Sequence, residues 1–561
     1  MELLGGSEMK GTSSSISLPQ LTEEMVKNAR KTRLCSFAVA IEGWRRGLKL
    51  KWYTRDSEHY KDMIIFGVNP PGRLFSLSSD KRTHYFFRTR GDKVTNEAVE
   101  IGSDKEKTKI LMEKNGVPVP KGRGFGEHDT DEEIINYGLS LGFPLVVKPT
   151  DGSLGLGVVT NIVNEEELRE ALDYVRHQLG YDDVIVEQYI VGKEYRLYVI
   201  EDEVIAAYNR VPANITGDGI HTIEELIELK NLERRKNARL NSCLIEIDVE
   251  IINLLEEEGY TLDTVLPKGK LIYLREKSNI SIGGDPIDVT DDLSDEVKQI
   301  AINALKTVPG LYHGGVDIII NEGNVSRDPA VVLELNPTAQ IGGILFPLKG
   351  KARNIPAAII DYYFPETKGM DTSGSKIYFD MSTVLEPLEN RSAIEVEVAP
   401  APMGKLYSKQ LLVTGDVQKQ SFHEWIKKEA VNRNLHGHVK RVFYDTIEIV
   451  VAGTNLDKIQ DFKRIITESP RNAKVRNIRE KKWNGPIKIG FEINERYNTS
   501  RFRSAETALR ILNRDFTQLD RKKQRVEKVN RYILESNSWK LTAPIRKIGA
   551  HIRQFKKIIV N

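Results

Sequence analysis

The sequence predicts a multidomain α/β protein that ends in a basic helical tail. Three observations carry this. Short apolar strands alternate with amphipathic helices through most of the chain, with one glycine-rich loop, Asp151–Gly157, among them. A second, shorter α/β unit follows. The pattern then gives way to one long Lys/Arg-rich helical segment. At 561 residues the chain exceeds the roughly 250–300 at which single cores stop growing, so several domains are expected.

In chain order, residues 1–20 read as a disordered Gly/Ser-rich leader without the apolar stretch of a secretory signal. An N-terminal region, 21–100, begins helical from Thr22 to about Leu48 and continues as short strands and turns such as Asn69-Pro70-Pro71-Gly72. The unit 101–368 opens with a helix, Asp104–Asn115, stopped by Gly116-Val117-Pro118-Val119-Pro120. Leu145–Lys148 is then a strand, Val158–Thr160 another, Glu165–Leu179 an amphipathic helix, and Val184–Val186 a strand. Tyr195–Ile200 and Val204–Tyr208 read as a hairpin, 222–260 as charged helices, and Val316–Ile320 with Val331–Leu335 as a second hairpin. The unit 376–495 alternates strands Lys405–Thr414, Thr446–Ala452 and Ile487–Ile493 with helices Phe422–Asn432 and Leu456–Glu468.

The tail, 496–561, holds 17 Lys/Arg against 5 Asp/Glu, so its +12 leaves about −10 on the rest of a chain whose net charge is +2. Leu509, Leu512, Phe516 and Leu519, then Val526, Val529 and Ile533, make imperfect heptads, from which a homodimer is expected. A basic tail on an acidic body predicts contact with an anionic glycan or membrane face; no nucleic-acid partner is expected. Cys35 and Cys243 are too few for a disulfide framework, which fits a reducing cytoplasm, with a peripheral place at the inner membrane face if the tail binds there. No apolar run reaches the ~20 residues that span a bilayer.

The residues that carry chemistry come in the order that phosphoryl transfer to a carboxylate requires. That reaction crowds anionic oxygens together, so its catalysis is mostly positioning and charge neutralisation. Lys148 ends a buried apolar strand, where a lysine is costly unless it meets a partner such as phosphate. The loop Asp151–Gly157 can close over a triphosphate, its glycines admitting the backbone. Glu187 follows a strand, with Glu194 seven residues on, placed to hold adenine and ribose. Glu334 and Asn336 alternate onto one strand face, and Asp317 joins them if the two strands pair, giving oxygen donors for Mg²⁺.

These motifs resemble the ATP-grasp superfamily from about 100 to 365: Asp104-Lys105 with Thr108, Phe-Pro-Leu-Val-Val-Lys148-Pro, the loop 151–157, Val-Glu187-Gln-Tyr-Ile-Val-Gly-Lys-Glu194-Tyr-Arg196, and Glu334-Leu-Asn336-Pro. Asn209-Arg210-Val-Pro-Ala-Asn-Ile-Thr-Gly-Asp-Gly-Ile-His-Thr222 is similar in particular to the modules of cyanophycin synthetases and bifunctional glutathione-synthesising enzymes. The resemblance implies two α+β lobes clamping ATP, with Mg²⁺ or Mn²⁺ as cofactor. It implies a ligase that joins a carboxylate to an amine through an acyl phosphate, the alternatives being a small-molecule kinase or a nucleotide-binding scaffold. By position it implies Lys105 and Lys148 on phosphates, covered by Ser153, Gly155 and Gly157. Glu187, Tyr189, Ile190 and Glu194 would hold adenosine, and Arg210 the γ-phosphate or acyl phosphate. Arg196 would meet a substrate carboxylate or phosphate, and Asp317, Glu334 and Asn336 the metal. Gln340–Gly343 and Gly350–Asn354, with Gly342, Gly343 and Arg353, would border the acceptor site. The synthetases' partner halves are absent, so the resemblance leaves the substrates open.

A second resemblance, over about 404–493, is to the acylphosphatase family, an α/β sandwich. It rests on Val413-Thr-Gly415-Asp-Val-Gln418, Gly437-His-Val439, Ile447–Val450 and Ala473-Lys-Val475. The phosphate cradle here reads Lys419-Gln-Ser421 without its glycines; His423 stands where the family has Arg and Arg441 where it has Asn. That implies a binding or assembly module without hydrolytic activity. Asn537–Arg546 is similar to tails of bacterial glycosyltransferases for surface polysaccharide, which implies envelope chemistry such as attaching an amine to a uronic-acid carboxylate; the expected ligase would attach an amino acid or amine to a peptide or surface-polysaccharide carboxylate.

Overall fold

The computed structural model describes residues 17–65, 71–150, 157–320, 329–468 and 473–494, with Lys523. The loop residues 151–156 and the tail, with its dimer, glycan and membrane readings, lie outside the described residues.

The N-terminal region is a helix on a sheet. The expected long helix is interrupted: Glu23–Val26 and Arg33–Arg45 are separate, with Lys31 at φ 59° between them. Arg33–Arg45 is apolar nearly all round and accordingly buried nearly all round. It packs on a five-stranded antiparallel sheet in the order Glu395–Glu397, Lys49–Tyr53, Leu74–Ser78, Thr83–Phe87, Arg90–Gly91. Its edge strand, Glu395–Glu397, lies more than 300 residues downstream, within the segment 376–495. Phe37, Trp44, Trp52 and Phe75 share one core with Ile377, Phe379 and Val384 from the same distant stretch, and with Ile341, Ile344, Ile359 and Tyr363.

Two further sheets follow. The first is antiparallel, in the order Gly122–Phe125, Val184–Gln188, Leu145–Pro149, Val159–Ile162. Helix Asp131–Leu141 covers it, started by a reciprocal Thr130–Glu133 cap that contributes about 1 kcal/mol. Helix Glu165–Leu172 covers it too, and ends in a π-helical turn, Asp173–Gln178, inside the stretch expected as one helix.

The second sheet runs Asp285–Asp288, Glu203–Val211, Lys193–Ile200, His313–Ile320, Ala330–Asn336, all antiparallel. Both expected hairpins are there. One face packs on helix Asp295–Lys306 through Leu197, Val199, Val316, Ile318 and Val332. Helices Ile223–Arg235 and Val249–Glu257 form a small satellite with its own core, tied back by Asp285 to Lys230 (2.6 Å) and Arg234 (2.7 Å).

The last unit has five strands in the order Lys474–Lys482, Tyr407–Asp416, Thr446–Gly453, His436–Phe443, Phe491–Asn494. Helices Gln420–Asn432 and Leu456–Glu468 lay Phe422, Ile426, Ile459 and Phe462 against it. A short parallel pairing, Ile377–Tyr378 with Ile487–Lys488, stitches this unit to the chain ahead of it. Among the described residues no helix is long and apolar enough to cross a membrane.

Candidate active site

The first half of the site forms on the four-stranded sheet. Val146 pairs with Glu187, so Lys148, two residues along, shares a face with Glu187. Lys148 Nζ contacts Glu187 Oε1, and Lys109 Nζ donates to Oε2 at 3.0 Å. All three side chains are nearly buried. Burial pushes the Glu187 carboxyl up, and the two ammonium groups overcome it and hold it below its usual range. Glu187, expected at adenosine, is here the counter-charge that lets two lysines sit in a buried place. Lys109 is a residue that reading from the sequence missed. The available signal was its place four after Lys105 on helix Lys105–Lys114, one turn along the same face. Asp104 caps that helix, accepting from the Glu106 and Lys107 amides at 3.1 and 3.0 Å. Tyr189 follows the strand, its amide fixed to the Pro144 carbonyl at 2.9 Å, and Ile190 comes next. Gly157 has φ 71°, and a Cβ there would come 3.3 Å from Pro149, a tight approach. Ser153 and Gly155 lie outside the described residues.

The second half is one rung across the second sheet. Tyr208 pairs with Arg196, Arg196 with Asp317, and Asp317 with Glu334. Two residues further along their strands, on the same face, stand Arg210, Glu194 and Asn336. Arg196 grips Asp317 with two parallel bonds, Nε–Oδ1 2.5 Å and Nη2–Oδ2 2.6 Å. Arg210 donates to Asp317 Oδ2 at 2.8 Å and also contacts Glu194. Asn336 Nδ2 donates to Glu334 Oε1 at 3.1 Å. Burial alone would raise the Asp317 carboxyl; the guanidiniums of Arg196 and Arg210 drive it well below the usual range. Glu334 goes the other way, raised first by burial and then by the charge of Asp317. The Nε–H of Arg210 is buried with no hydrogen-bond partner.

The structure thus brings together Arg196, Arg210, Glu194, Asp317, Glu334 and Asn336. Gly342 and Gly343 open the short helix Gly342–Leu345, where a Cβ on Gly342 would come 2.8 Å from Arg239 and one on Gly343 3.0 Å from Ile280. Arg353 is held at the edge of the same rung. Its guanidinium is taken by Asp288 (3.0 and 2.8 Å), the strand partner of Tyr208, and by Asp291 (3.0 Å).

Comparison with known proteins decides what this arrangement belongs to. Residues 102–221 match the RimK-like ATP-grasp domain, and residues 409–493 match acylphosphatase. The chain carries an ATP-grasp domain. Cyanophycin synthetase of Crocosphaera subtropica is 36% identical over 273 residues, 48% of this chain and 31% of the relative. The bifunctional glutathione biosynthesis protein of Listeria innocua is 35% identical over 264 residues, 46% of this chain and 33% of the relative. The crystal structure of a bifunctional glutathione synthetase from Pasteurella multocida shares 30% identity over 52% of this chain and 41% of its own, with a TM-score of 0.42. The chain spans about a third of the length of the curated relatives it matches.

The ATP-grasp domain's acidic rung suits a divalent cation. Three carboxylates, Glu194, Asp317 and Glu334, face two guanidiniums; the Glu334 carboxyl is raised by burial first and by the Asp317 charge second. Both Asp317 oxygens accept from arginines, so Glu334 and the amide oxygen of Asn336 are the donors open to an ion. Among the described residues no group of three or more His, Cys, Asp or Glu is gathered as a metal site. Two protein oxygens completed by phosphate and water is the shell that Mg²⁺ prefers.

Proposed function

We propose that the protein is an ATP-dependent carboxylate–amine ligase. In this reading the γ-phosphoryl group of ATP passes to a substrate carboxylate, ADP leaves, and an amine displaces phosphate to give an amide. The observation that carries it is the pairing of a buried lysine face, Lys109 and Lys148 on Glu187, with the Arg196–Asp317–Glu334 rung in one ATP-grasp domain.

Each part then has one task. Lys148 and Lys105 meet phosphate oxygens, and Glu187 holds Lys148 in place until they arrive. Arg210, fixed by Asp317 and Glu194, presents a guanidinium where negative charge builds on the transferring phosphoryl group or the acyl phosphate. Arg196 is locked to Asp317 and acts by holding it. Mg²⁺ on Glu334 and Asn336 would supply charge neutralisation at the phosphates.

The test is ADP release across a panel of amino acids, di- and tricarboxylic acids and uronic acids, with mass spectrometry of the products. A new amide is expected with one acid–amine pair, and Lys148→Met should cut turnover by about 100-fold or more. A stable phosphorylated acid with no amide would move the assignment to a kinase. Substrate-dependent ADP release equal in Lys148→Met, Glu334→Ala and wild type would end the reading.

A further inference from the structure

Outside the site just described, the described residues hold one conspicuous group of cations with no counter-charge. Arg73 and Arg88 occupy the rung next to the Leu74–Phe87 pair of the N-terminal sheet, and the Arg88 amide donates to the Arg73 carbonyl at 2.9 Å. Both side chains are partly buried, and the Nε of each is buried without a hydrogen-bond partner. Among the described residues no carboxylate acts on either guanidinium. Burial, then the charges of Arg88 and Arg33, depress Arg73; burial alone depresses Arg88, with Cys35 beside it. Arg33 is anchored to the Pro71 carbonyl (2.9 Å) and Glu389 (2.7 Å). Arg88 also sits at φ 57°, a conformation costly for a residue with a Cβ.

Two adjacent, partly desolvated guanidiniums repel each other and lose hydration; an oxyanion bound between them repays both costs. Their place says which oxyanion. The next residue, Thr89, donates its hydroxyl to the Ala339 carbonyl at 2.9 Å. Cys35 Sγ accepts from the Ile341 amide at 3.4 Å, and Leu34 lies 3.3 Å from where a Cβ on Gly342 would be. Arg88, with Thr89 and Cys35 beside it, therefore stands near the 339–342 segment, the expected border of the acceptor site, and Arg73 is its neighbour. Against that segment Arg239, itself buried, has weak partners: Cys243 Sγ at 2.8 Å, with Gln340 and Ser281 at 3.5 Å.

We propose that the N-terminal region is the specificity element of the enzyme: Arg73 and Arg88, with Arg239 nearby, receive an oxyanion of the substrate that is remote from the carboxyl being activated. The substrate class is an acid with at least two anionic groups, either a polycarboxylate or a phosphorylated acid. This rests on the ligase reading for its use, since only that reading makes the 339–342 edge an entrance.

The test uses the full chain saturated with Mg²⁺ and a non-hydrolysable ATP analogue, so that the phosphate site is filled. Tricarballylate and, separately, inorganic phosphate are titrated in by calorimetry, into wild type and Arg73→Gln/Arg88→Gln. One or both probes should bind wild type, and the double variant should weaken that binding about tenfold or more. Analogue affinity should stay unchanged, because neither arginine is on the nucleotide lobe. Preference for tricarballylate points to a polycarboxylate, preference for phosphate to a phosphorylated acid. Removing two unpaired charges should leave the melting temperature equal or higher, which separates this effect from misfolding. If the analogue binds and neither probe does, or the double variant binds them as wild type does, the proposal is overturned. If the analogue itself does not bind, the ligase reading is what fails.

Discussion

At the scale of single residues the site is governed by buried charge that must be matched. Asp317 is 1% exposed and takes three charge-assisted bonds from Arg196 and Arg210. Losing one partner of such a pair typically costs about 3–5 kcal/mol because the other is left buried and unpaired. His313, on the same strand, shows the opposite solution: it is buried uncharged. Its ring accepts or donates to Tyr198 (3.1 Å) and Tyr363 (3.0 Å). Burial first, then the charges of Arg90 and Lys93, push its pKa down to about 3. The sign follows from linkage. Between the folded value and the ordinary value near 6.5 the unfolded chain binds a proton that the folded chain refuses. The contribution is whole above about pH 6.5 and falls as pH drops below it, by about 1.4 kcal/mol per pH unit, until about pH 3. Urea denaturation of wild type and His313→Gln at several pH values between about 7 and 4.5 measures this. The stability gap should shrink with acid at that slope; parallel curves would show that His313 keeps its proton in the fold.

At the scale of elements, hydrophobic alternation located the strands and hence the rung. Val316–Ile320 and Val331–Leu335 are apolar runs of the right length, but Asp317 comes opposite Glu334 only through a register shift: Ile318 pairs with Val332, and Leu333 is skipped. What alternation does not say is the identity of a partner. Asp317 was legible as a residue on that face, but its two arginines come from the neighbouring strand and the one beyond it, whose register only the fold sets. Lys109 and Glu187 meet across 78 positions, and strand Glu395–Glu397 joins a sheet begun near residue 49; no local pattern encodes either. In the acylphosphatase-like sheet, glycine was the better signal. Gly437 has φ 135°, and a Cβ there would lie 2.0 Å from the Val450 carbonyl oxygen. Gly490 has φ 76° with nothing within 4 Å. Gly490→Ala should therefore cost only backbone strain, about 1–2 kcal/mol. Gly437→Ala must add displacement of strand Thr446–Gly453 and cost distinctly more. Amide hydrogen exchange reads the difference: protection in Thr446–Gly453 and Phe491–Asn494 should fall in Gly437→Ala and hold in Gly490→Ala. Equal protection in both variants would mean the sheet absorbs the side chain.

At the scale of the whole molecule, an ATP-grasp domain and an acylphosphatase-like domain share one chain, joined by the Ile377–Tyr378 and Ile487–Lys488 pairing. If the ligase works through an acyl phosphate, a hydrolytic neighbour would destroy its intermediate. The second domain's side chains bear on this. Arg441, standing where the family has Asn, donates to the Gln418 carbonyl at 2.7 Å, and His423, standing where it has Arg, bonds the Val417 carbonyl at 3.0 Å through Nε2. His423 is 2% exposed, so this ring is packing, not reaching into solvent. Both groups brace the 417–418 backbone through its carbonyl oxygens instead of lying open to a phosphate. The loop was recognisable in the sequence as lacking its glycines; that the substituted residues brace it is information only the fold carries. The expected outcome is that the full chain hydrolyses benzoyl phosphate no faster than buffer does, and that His423→Gln with Arg441→Gln lowers the unfolding midpoint of this domain while leaving ADP release by the ATP-grasp domain near wild type. Saturable hydrolysis by the wild-type chain, lost in the double variant, would instead make this domain an editing site that clears acyl phosphates with no amine partner.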